Sequence, residues 1–592
     1  MMRSMIGRMR QIRHNLPSTF FIAVSIMSEI KKTLDSNTAQ LTAEGSPWEL
    51  KETSFNGIDY KYYPNAPKTL VEMMEQGRGH GDNEFLIYGD DRWTFNDFFR
   101  KVDALAWQLQ NQLNIQPGDR VAIAMRNYPE WMLAFAAIAY AGGVVVPLNS
   151  WGQKAELEYG LSDCGAKAAF FDQQRFDHIA DDLGALGVTA IIARPEKPIT
   201  QNNCHDISML VDAAANKKPG AIESGSEETA LIMYTSGTTG KPKGAVSNHH
   251  NVCQAVFNFE FAAICAAMTD PGPIGKMLER GYPPKVLLSV PLFHVSGCHS
   301  VFFLSLRGGR PIVIMHKWDA EAALQLIEKE RITMISAVPT MLMDMLESDK
   351  WDKYDTSSMF GFGAGGSAQP PRLASLVNEK LPDSFAGTGY GMTETNAAGF
   401  SATGAVYKYK PRSCGTKTPI VDVRIVGENG EDVPQGQTGE IWLKAPTVVQ
   451  GYWNKPQATE KSFQQGWALT GDVGYLDEEG FLFITDRIKD MVIRGGENIA
   501  SIEVETAALT HEGIQEVAVF GIPDEKMGEE LAIAVVLKKG QNLSAEDIQS
   551  HIAGQLAKFK VPSRVFFEDQ PLPRNATHKV LKNALKEKYS KA

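Results

Sequence analysis

The run from Gly118 to Asn149 limits the fold more than any other stretch. It reads as GDRVAIAM, then NYPEWMLAFAAIAYAGG, then VVVPLN. Short apolar runs without polar alternation suit strands covered on both faces. The middle segment is apolar all round and stops at Gly142-Gly143, which suits a buried helix. Strand, buried helix and strand in that order make a βαβ unit, and such units pair in parallel. The rhythm continues elsewhere: WTFNDFFRKVDALAWQLQNQL (93–113) opens with a Thr94-x-x-Asp97 capping pattern and keeps helical spacing. The expectation is an α/β fold whose large N-terminal domain has several subdomains and mostly parallel sheets. Gly142, Gly143 and Pro147 break residues 132–148 too often for a spanning helix, so no transmembrane segment is expected.

A chain of 592 residues is too long for one core. The series SIEVETAALTH, IQEVAVFGIP, ELAIAVVLKK and SAEDIQSHIAGQL suffices for a small α+β C-terminal domain. The domains are therefore expected at 41–487 and 488–592, with 1–40 as an N-terminal tail. The boundary near Arg487-Ile488-Lys489 carries no Gly or Ser padding, which favours a defined hinge and a mobile small domain. A net charge of −11 argues against a nucleic-acid partner. Six scattered cysteines without a CxxC fit a reducing compartment and argue against a zinc site. Residues 1–27 carry Arg3, Arg8, Arg10 and Arg13, no acid, and no A-x-A cleavage pattern. The reading is that translation starts at Met27 and the protein is cytoplasmic. If 1–26 are instead a transit peptide, the mitochondrial matrix follows. Oligomeric state is not set by the sequence, and a homodimer stays open.

The chemistry concentrates in a few strings. YTSGTTGKPKG (234–244) follows the apolar run Ala230–Met233. Thr235, Ser236, Thr238 and Thr239 offer hydroxyls, Gly237 and Gly240 allow close backbone approach, and Lys241 and Lys243 bring charge. That is what a polyphosphate needs. It is not a Walker A loop, because Pro242 follows Gly240-Lys241 where Ser or Thr is required. GFGAGGSAQPP (361–371) formally matches GxGxxG through Gly361, Gly363 and Gly366, yet lacks a clear strand-to-helix context, so a dinucleotide reading is weak. In GTGYGMTET (387–395), Tyr390 offers a ring to stack on a base, and Thr393 beside Glu394 suits Mg2+. Asp472, in ALTGDVGYLDEEGFLFITDR, could accept both hydroxyls of a ribose, with Arg487 at the string's end. His294 stands between an apolar strand and a small-residue turn in PLFHVSGCHS, and LPRNATHKVLK carries Lys579 and Lys582.

These strings, in this order from about residue 60 to the C-terminus, resemble the motifs of the adenylate-forming superfamily. That superfamily holds acyl-CoA synthetases, peptide-synthetase adenylation domains and beetle luciferase. The chain most resembles an AMP-forming fatty acyl-CoA synthetase, an acid-thiol ligase. The resemblance implies ATP, Mg2+ and coenzyme A as ligands and a small-molecule carboxylic acid as substrate. It implies that the 235–243 loop holds phosphate. Gly365-Gly366-Ser367 and Gly389-Tyr390-Gly391-Met392 would lie at the adenine, Thr393 at phosphate and Glu394 at the metal. Asp472 and Arg487 would lie at the ribose. His294 becomes a gate near the carboxylate, Lys489 the hinge, and Gly495-Gly496-Glu497-Asn498 the passage for the pantetheine arm. Lys579 becomes the lysine bridging carboxylate and α-phosphate, with Lys582 the poorer candidate. The family usually has Gly before that lysine; this chain has His578. Phe293, Val295, Gly297, Cys298, Val338 and Pro339, with Gly363 near the base, are expected to wall the acid pocket. None is charged, which favours a medium- or long-chain fatty acid, with small residues at 297 and 298 leaving depth. An aryl or cyclic acid, as in the coumarate-ligase branch, is the alternative. A catalytically inactive binding scaffold is a reading from another class.

Overall fold

Strand Arg120–Ala124, helix Pro129–Tyr140 and strand Val144–Pro147 form the expected βαβ unit, the two strands pairing in parallel. All twelve residues of the helix are buried, as its all-round apolarity requires. Its side chains join one core cluster with residues from two sheets, among them Val121, Val145, Val286 and Ile312. The molecule is a computed structural model describing residues 18–55, 57–235, 241–366, 369–575 and 579–590.

The first sheet has seven strands, in the order 243–248, 229–235, 144–147, 120–124, 168–172, 189–193 and 204–206. Only the pair 229–235 and 243–248 is antiparallel. The second sheet has nine strands, with 385–390, 361–364, 334–337, 286–288 and 312–314 adjacent and parallel. Their carboxyl ends release Val338, Gly365, Gly391 and Ser289 at one edge, where open α/β sheets receive ligands. Thr94 caps helix Phe95–Asn111 with a reciprocal Asp97 capping box, as the spacing indicated.

A third, antiparallel sheet ends with strand Leu482–Arg487 paired to Trp467–Leu476. The chain then turns at 488–490, and the small sheet begins at Val492. In that sheet Leu531, Ile533 and Val535 face one apolar cluster, and Ala532, Ala534 and Val536 face another. This period of two is what a strand covered on both faces shows. Helices Ser501–Leu509 and Ala545–Ala553 cover one side; helix Lys582–Tyr589 covers the other.

Two features go beyond the sequence reading. The expected tail at 1–40 is a helix, Ser18–Leu41, over its described part. Ile30 and Leu34 pack against core clusters, Asn37 Nδ2 donates to Thr269 Oγ1 at 3.1 Å, and Leu41 is buried. The other concerns length. Helix His249–Thr269 is long and apolar enough to cross a membrane, a feature the sequence reading did not note. It is a core helix: buried Asn251 and Gln254 bond the carbonyls of Pro446 and Tyr63, and Asn258 bonds the Tyr63 hydroxyl.

Truncation tests what this helix contributes. A chain starting at Met27 should match the full chain in urea unfolding. One starting at Thr42 should lose about 2–4 kcal/mol through exposure of the Leu34 and Leu41 contacts. Equal midpoints for both truncations would show that the helix adds nothing.

Candidate active site

Asp472 sits on the third sheet directly opposite Arg487, and that register fixes their geometry. Arg487 Nε lies 2.8 Å from Asp472 Oδ1. The Tyr390 hydroxyl donates to Asp472 Oδ2 at 2.8 Å. The Tyr390 ring, 8% exposed, belongs to an apolar cluster with Phe400. Its visible task is thus to orient Asp472, and burial raises its phenol well above the ordinary value, with Asp472 adding.

Lys579 reaches this ground from the small domain. Its backbone N–H donates to Asn575 Oδ1 at 3.0 Å, and its carbonyl accepts from Asn575 N at 2.9 Å. Burial pulls its ammonium down to about 8; Arg487 and Lys489 push the same way, while Asp472 and Glu394 oppose. His294 lies beside it. Burial, then Lys579, lowers that imidazole to about 3, so it is neutral at working pH, and its buried Nε2 has no partner among the described residues.

Glu394 follows the strand that ends at Tyr390, inside a 3-10 turn, Thr393–Thr395. It is buried, and its Oε1 accepts from the Tyr452 hydroxyl at 2.7 Å. A Cβ on Gly391 would stand 2.3 Å from the Ala397 carbonyl, so glycine is required there. Asn396 (φ 50°) and Ala397 (φ 61°) are both left-handed, a conformation asparagine tolerates and alanine does not favour. No described cluster of three His, Cys, Asp or Glu side chains could form a protein-only metal site. Glu394, with Tyr452 holding one oxygen, fits a cation whose other ligands are phosphate and water.

The phosphate string is the connection of an antiparallel pair, with Thr235 opposite Lys243. Ser236, Gly237, Thr238, Thr239, Gly240, Ser367 and His578 lie outside the described residues. Both ends of the loop are anchored. Tyr234 OH donates to Asp163 Oδ2 at 2.7 Å, Lys455 pairs with Asp163 Oδ1 at 2.7 Å, and Tyr159 OH donates to the Pro242 carbonyl at 3.0 Å. Lys241 Nζ lies 4.9 Å from the Tyr159 ring centre and Lys243 Nζ 4.2 Å from that of Tyr452, beside Glu394. A cleft opens between Tyr234, Thr235 and Pro242 on one side and Phe293-His294 on the other, lined also by Leu148, Leu157 and Asn575.

Other expected residues stand differently. A Cβ on Gly297 would meet the Pro291 carbonyl at 2.3 Å, so this glycine closes a turn and leaves no room for a ligand. Cys298 is wholly buried in the main core with Val301 and Phe302. Val295 belongs to the same cluster. By contrast, Gly363 and Gly365 face open space, and Val338 lies against Gly366. Pro339 opens the helix that carries Met341. Gly361 and Gly363 lie within strand Gly361–Ala364, and the next helix starts only at Pro371, so the GxGxxG match is not a dinucleotide loop. Gly389 continues beside Tyr390, and Met392 N bonds Thr395 Oγ1. Gly495 and Gly496, both left-handed, form the tip of an exposed hairpin with Glu497 and Asn498, which the structure does not bring to the cluster.

The small domain is held in this pose by a network across the boundary. Buried Asp486 accepts from Ser501 N and, at 3.0 Å, from Ser501 Oγ. Lys582 Nζ donates to Ser501 Oγ and pairs with Glu505, both at 2.7 Å, so Lys582 is committed to structure. Half-buried Lys489 lies at the turn near Asp490, Arg487, Asp472 and Lys582. A second cleft opens beyond the 289–291 segment. There Arg126 stacks 3.5 Å from the Trp151 ring centre, with exposed His316 and Lys317 alongside. The Arg126 guanidinium donates to the His316 carbonyl at 2.9 Å and forms no ion pair among the described residues, while its backbone N–H donates to Asp172 Oδ2 at 2.8 Å. Sequence reading missed Asp163, Tyr159, Tyr452, Asn396 and this cleft. Asn396 alone left a signal, a left-handed-tolerant residue directly after TET.

Residues 73–453 match the AMP-binding enzyme family and residues 503–579 the AMP-binding enzyme C-terminal domain. The chain is 34% identical over 481 residues to the long-chain-fatty-acid–CoA ligase FadD13 of Mycobacterium tuberculosis, covering 81% of this chain and 90% of that one. It is 32% identical to the feruloyl-CoA synthase of an Amycolatopsis species, covering 85% and 95%. The o-succinylbenzoate CoA synthetase of Bacillus subtilis, solved with ATP and magnesium, superposes with a TM-score of 0.70 at 31% identity, covering 87% and 98%.

The reading of Lys579 as the lysine at the phosphate carries an expected pH dependence. Only the ammonium can offset phosphate charge; it is present below about 8 and lost as pH rises through that value. ATP-dependent kcat/KM should therefore fall on an alkaline limb near pH 8, and Lys579→Arg, though slower, should lack that limb. An identical limb in the arginine variant would assign it to another group.

Proposed function

The chain belongs to the AMP-binding enzymes and is an AMP-forming acid–CoA ligase; on that premise we propose that the acid it activates is a medium- or long-chain fatty acid. The observation that carries the adenylation chemistry is Lys579 of the small domain standing among Glu394, Asp472 and Arg487 of the large one. In the first step a carboxylate oxygen attacks the α-phosphorus of ATP, the bond to the bridging oxygen breaks, and pyrophosphate leaves. The acid is already ionised at neutral pH, so no general base is needed, in keeping with a neutral His294. Asp472, oriented by Tyr390 and Arg487, holds the ribose hydroxyls. The 235–243 loop and Lys579 offset charge as it builds on the phosphoryl oxygens. Magnesium, held through Glu394 and the phosphates, would add charge neutralisation there. In the second step the thiolate of coenzyme A attacks the acyl carbon and AMP leaves, the thiol proton passing to solvent.

The two steps make incompatible demands, a dry cationic site and then an open thiol path. We assign the exchange to rotation at Lys489, which would withdraw Lys579 and bring Gly495-Gly496-Glu497 forward. The Arg126 cleft is the natural approach for coenzyme A. It lies across the 289–294 segment from the nucleotide side and offers an unpaired cation to a phosphate-bearing ligand. The six unpaired cysteines fit a reducing compartment, the cytoplasm in this reading.

Phe293, Val338 and Pro339 support an apolar acid, and long-chain-fatty-acid ligases are among the most similar relatives. The feruloyl and indoleacetate relatives keep an aryl acid as the second reading. AMP release with ATP, Mg2+ and coenzyme A across acetate to palmitate, benzoate, coumarate and cyclohexanecarboxylate decides between them. A maximum among the longer fatty acids is expected; an aryl maximum reverses the order, and silence on every acid would favour the inactive scaffold. Lys579→Ala should slow adenylation by about 100-fold or more yet spare thioester formation from supplied acyl-adenylate. Arg126→Ala should do the opposite, raising KM for coenzyme A about 10-fold while leaving adenylation unchanged. Equal losses in both steps for either variant would refute its assignment.

A further inference from the structure

Asn396 is wholly enclosed, and every polar atom of its amide is engaged. Its Nδ2 donates to the Thr447 carbonyl at 2.9 Å and lies 3.0 Å from Ser247 Oγ. Its Oδ1 lies 3.0 Å from His299 Nε2 and 3.2 Å from Ser247 Oγ. These partners belong to three separate pieces of the molecule. Ser247 is on the strand that leaves the phosphate loop. Thr447 opens the segment that gives Val449 N to the Glu394 carbonyl at 3.0 Å and the Tyr452 hydroxyl to its side chain. His299 lies in the helical segment Cys298–Phe303, just beyond His294. None of the four groups faces a cleft: Asn396, Ser247, Thr447 and His299 are all buried.

The protonation of the network follows from its surroundings. The Asn396 amide directs its N–H groups at Thr447 and Ser247, so Oδ1 must receive. The proton of His299 therefore lies on Nε2. Its Nδ1 has no partner among the described residues, and burial lowers the ring to about 4, so His299 is a neutral donor at working pH. A buried imidazole left half-satisfied costs stability, so its presence calls for a reason. Here the reason is visible. Asn396 follows Glu394 by two residues in a left-handed conformation, and its side chain seats the 393–397 turn on the Thr447–Tyr452 segment.

We propose that Asn396, held by His299, is the positioning residue that sets the Glu394 carboxylate for the metal–nucleotide complex. The proposal rests on the reading of Glu394 as the metal carboxylate. Neither residue touches substrate. Their effect passes through the turn and through Tyr452, as outer partners of a ligand carboxylate act.

The test is direct binding of Mn2+ to the enzyme–ATP complex, followed by electron paramagnetic resonance, with Glu394→Gln as the reference. Asn396→Gly keeps the left-handed backbone and removes only the side chain. It should weaken Mn2+ binding about 10-fold, as should His299→Leu, while His299→Gln, which restores an N–H donor, should recover most of it. Thioester formation from supplied acyl-adenylate should stay near wild type in all three, because that step does not use the metal carboxylate; this also certifies the fold. Mn2+ affinity unchanged in Asn396→Gly but lowered in Glu394→Gln would overturn the positioning role alone. Affinity unchanged in Glu394→Gln would overturn the metal reading and this proposal with it. Loss of both half-reactions in Asn396→Gly and His299→Leu, without rescue by His299→Gln, would reduce the network to core structure.

Discussion

Charge crowding at the domain boundary governs the rest of the site. Lys579 comes onto ground that already holds Arg487 and Lys489, with Asp472 and Glu394 as the nearby acids. Asp472 is already committed, one oxygen to Arg487 and the other to Tyr390. Burial first, and then the neighbouring cations, make the approach unfavourable for the protein alone, as the lowered lysine shows. The Asp486–Ser501–Lys582–Glu505 network supplies an opposing attraction at the boundary, with no contact to the reacting atoms. A triphosphate would answer the excess cation, and more strongly as charge builds on its oxygens. The crowding thus becomes a preference for the transition state over the protein's own resting charges.

The same reasoning explains why one rigid site would not serve. A buried ammonium over the α-phosphate suits adenylation and obstructs a thiol. The 289–294 segment separates the two clefts, with Phe293 and His294 lining one and Ser289 and Pro291 the other. A Cβ at Gly297 would strike the Pro291 carbonyl, so the turn behind this partition is closely packed. With chemistry on one side and coenzyme A approaching from the other, as proposed, only the small domain would have to move, while the partition stays.

The βαβ core was legible because apolar runs without alternation have few other uses, and the Thr94 cap because its spacing states its geometry. Asp472 and Arg487 could be named from a motif; that they face each other on adjacent strands could not. Tyr390 was read as a stacking ring, but the sequence does not show that its hydroxyl is spent on Asp472. Asp163 anchors a loop more than seventy residues away, and nothing local marks it. The helix before Leu41 was read as a tail because its partners, Thr269 and Cys265, are equally remote. What escaped was in each case a side chain whose function depends on a distant partner.

Pocket depth follows from where the small residues turned out to lie. Gly297 and Cys298 serve the turn and the core, so they add nothing to the acyl site. The open positions are Gly363 and Gly365, at the carboxyl end of a central parallel strand, next to Val338 on its neighbour. An acyl chain entering from the Lys579 side would therefore run along the strand ends of the second sheet, over Gly363 and toward the helix that begins at Pro339. The residues limiting its length then belong to that helix, with Met341 already buried and flexible enough to yield. On the fatty-acid reading, chain-length preference would be set by helix Pro339–Leu346 and the Gly363 strand, with the His294 segment contributing the partition and not the depth.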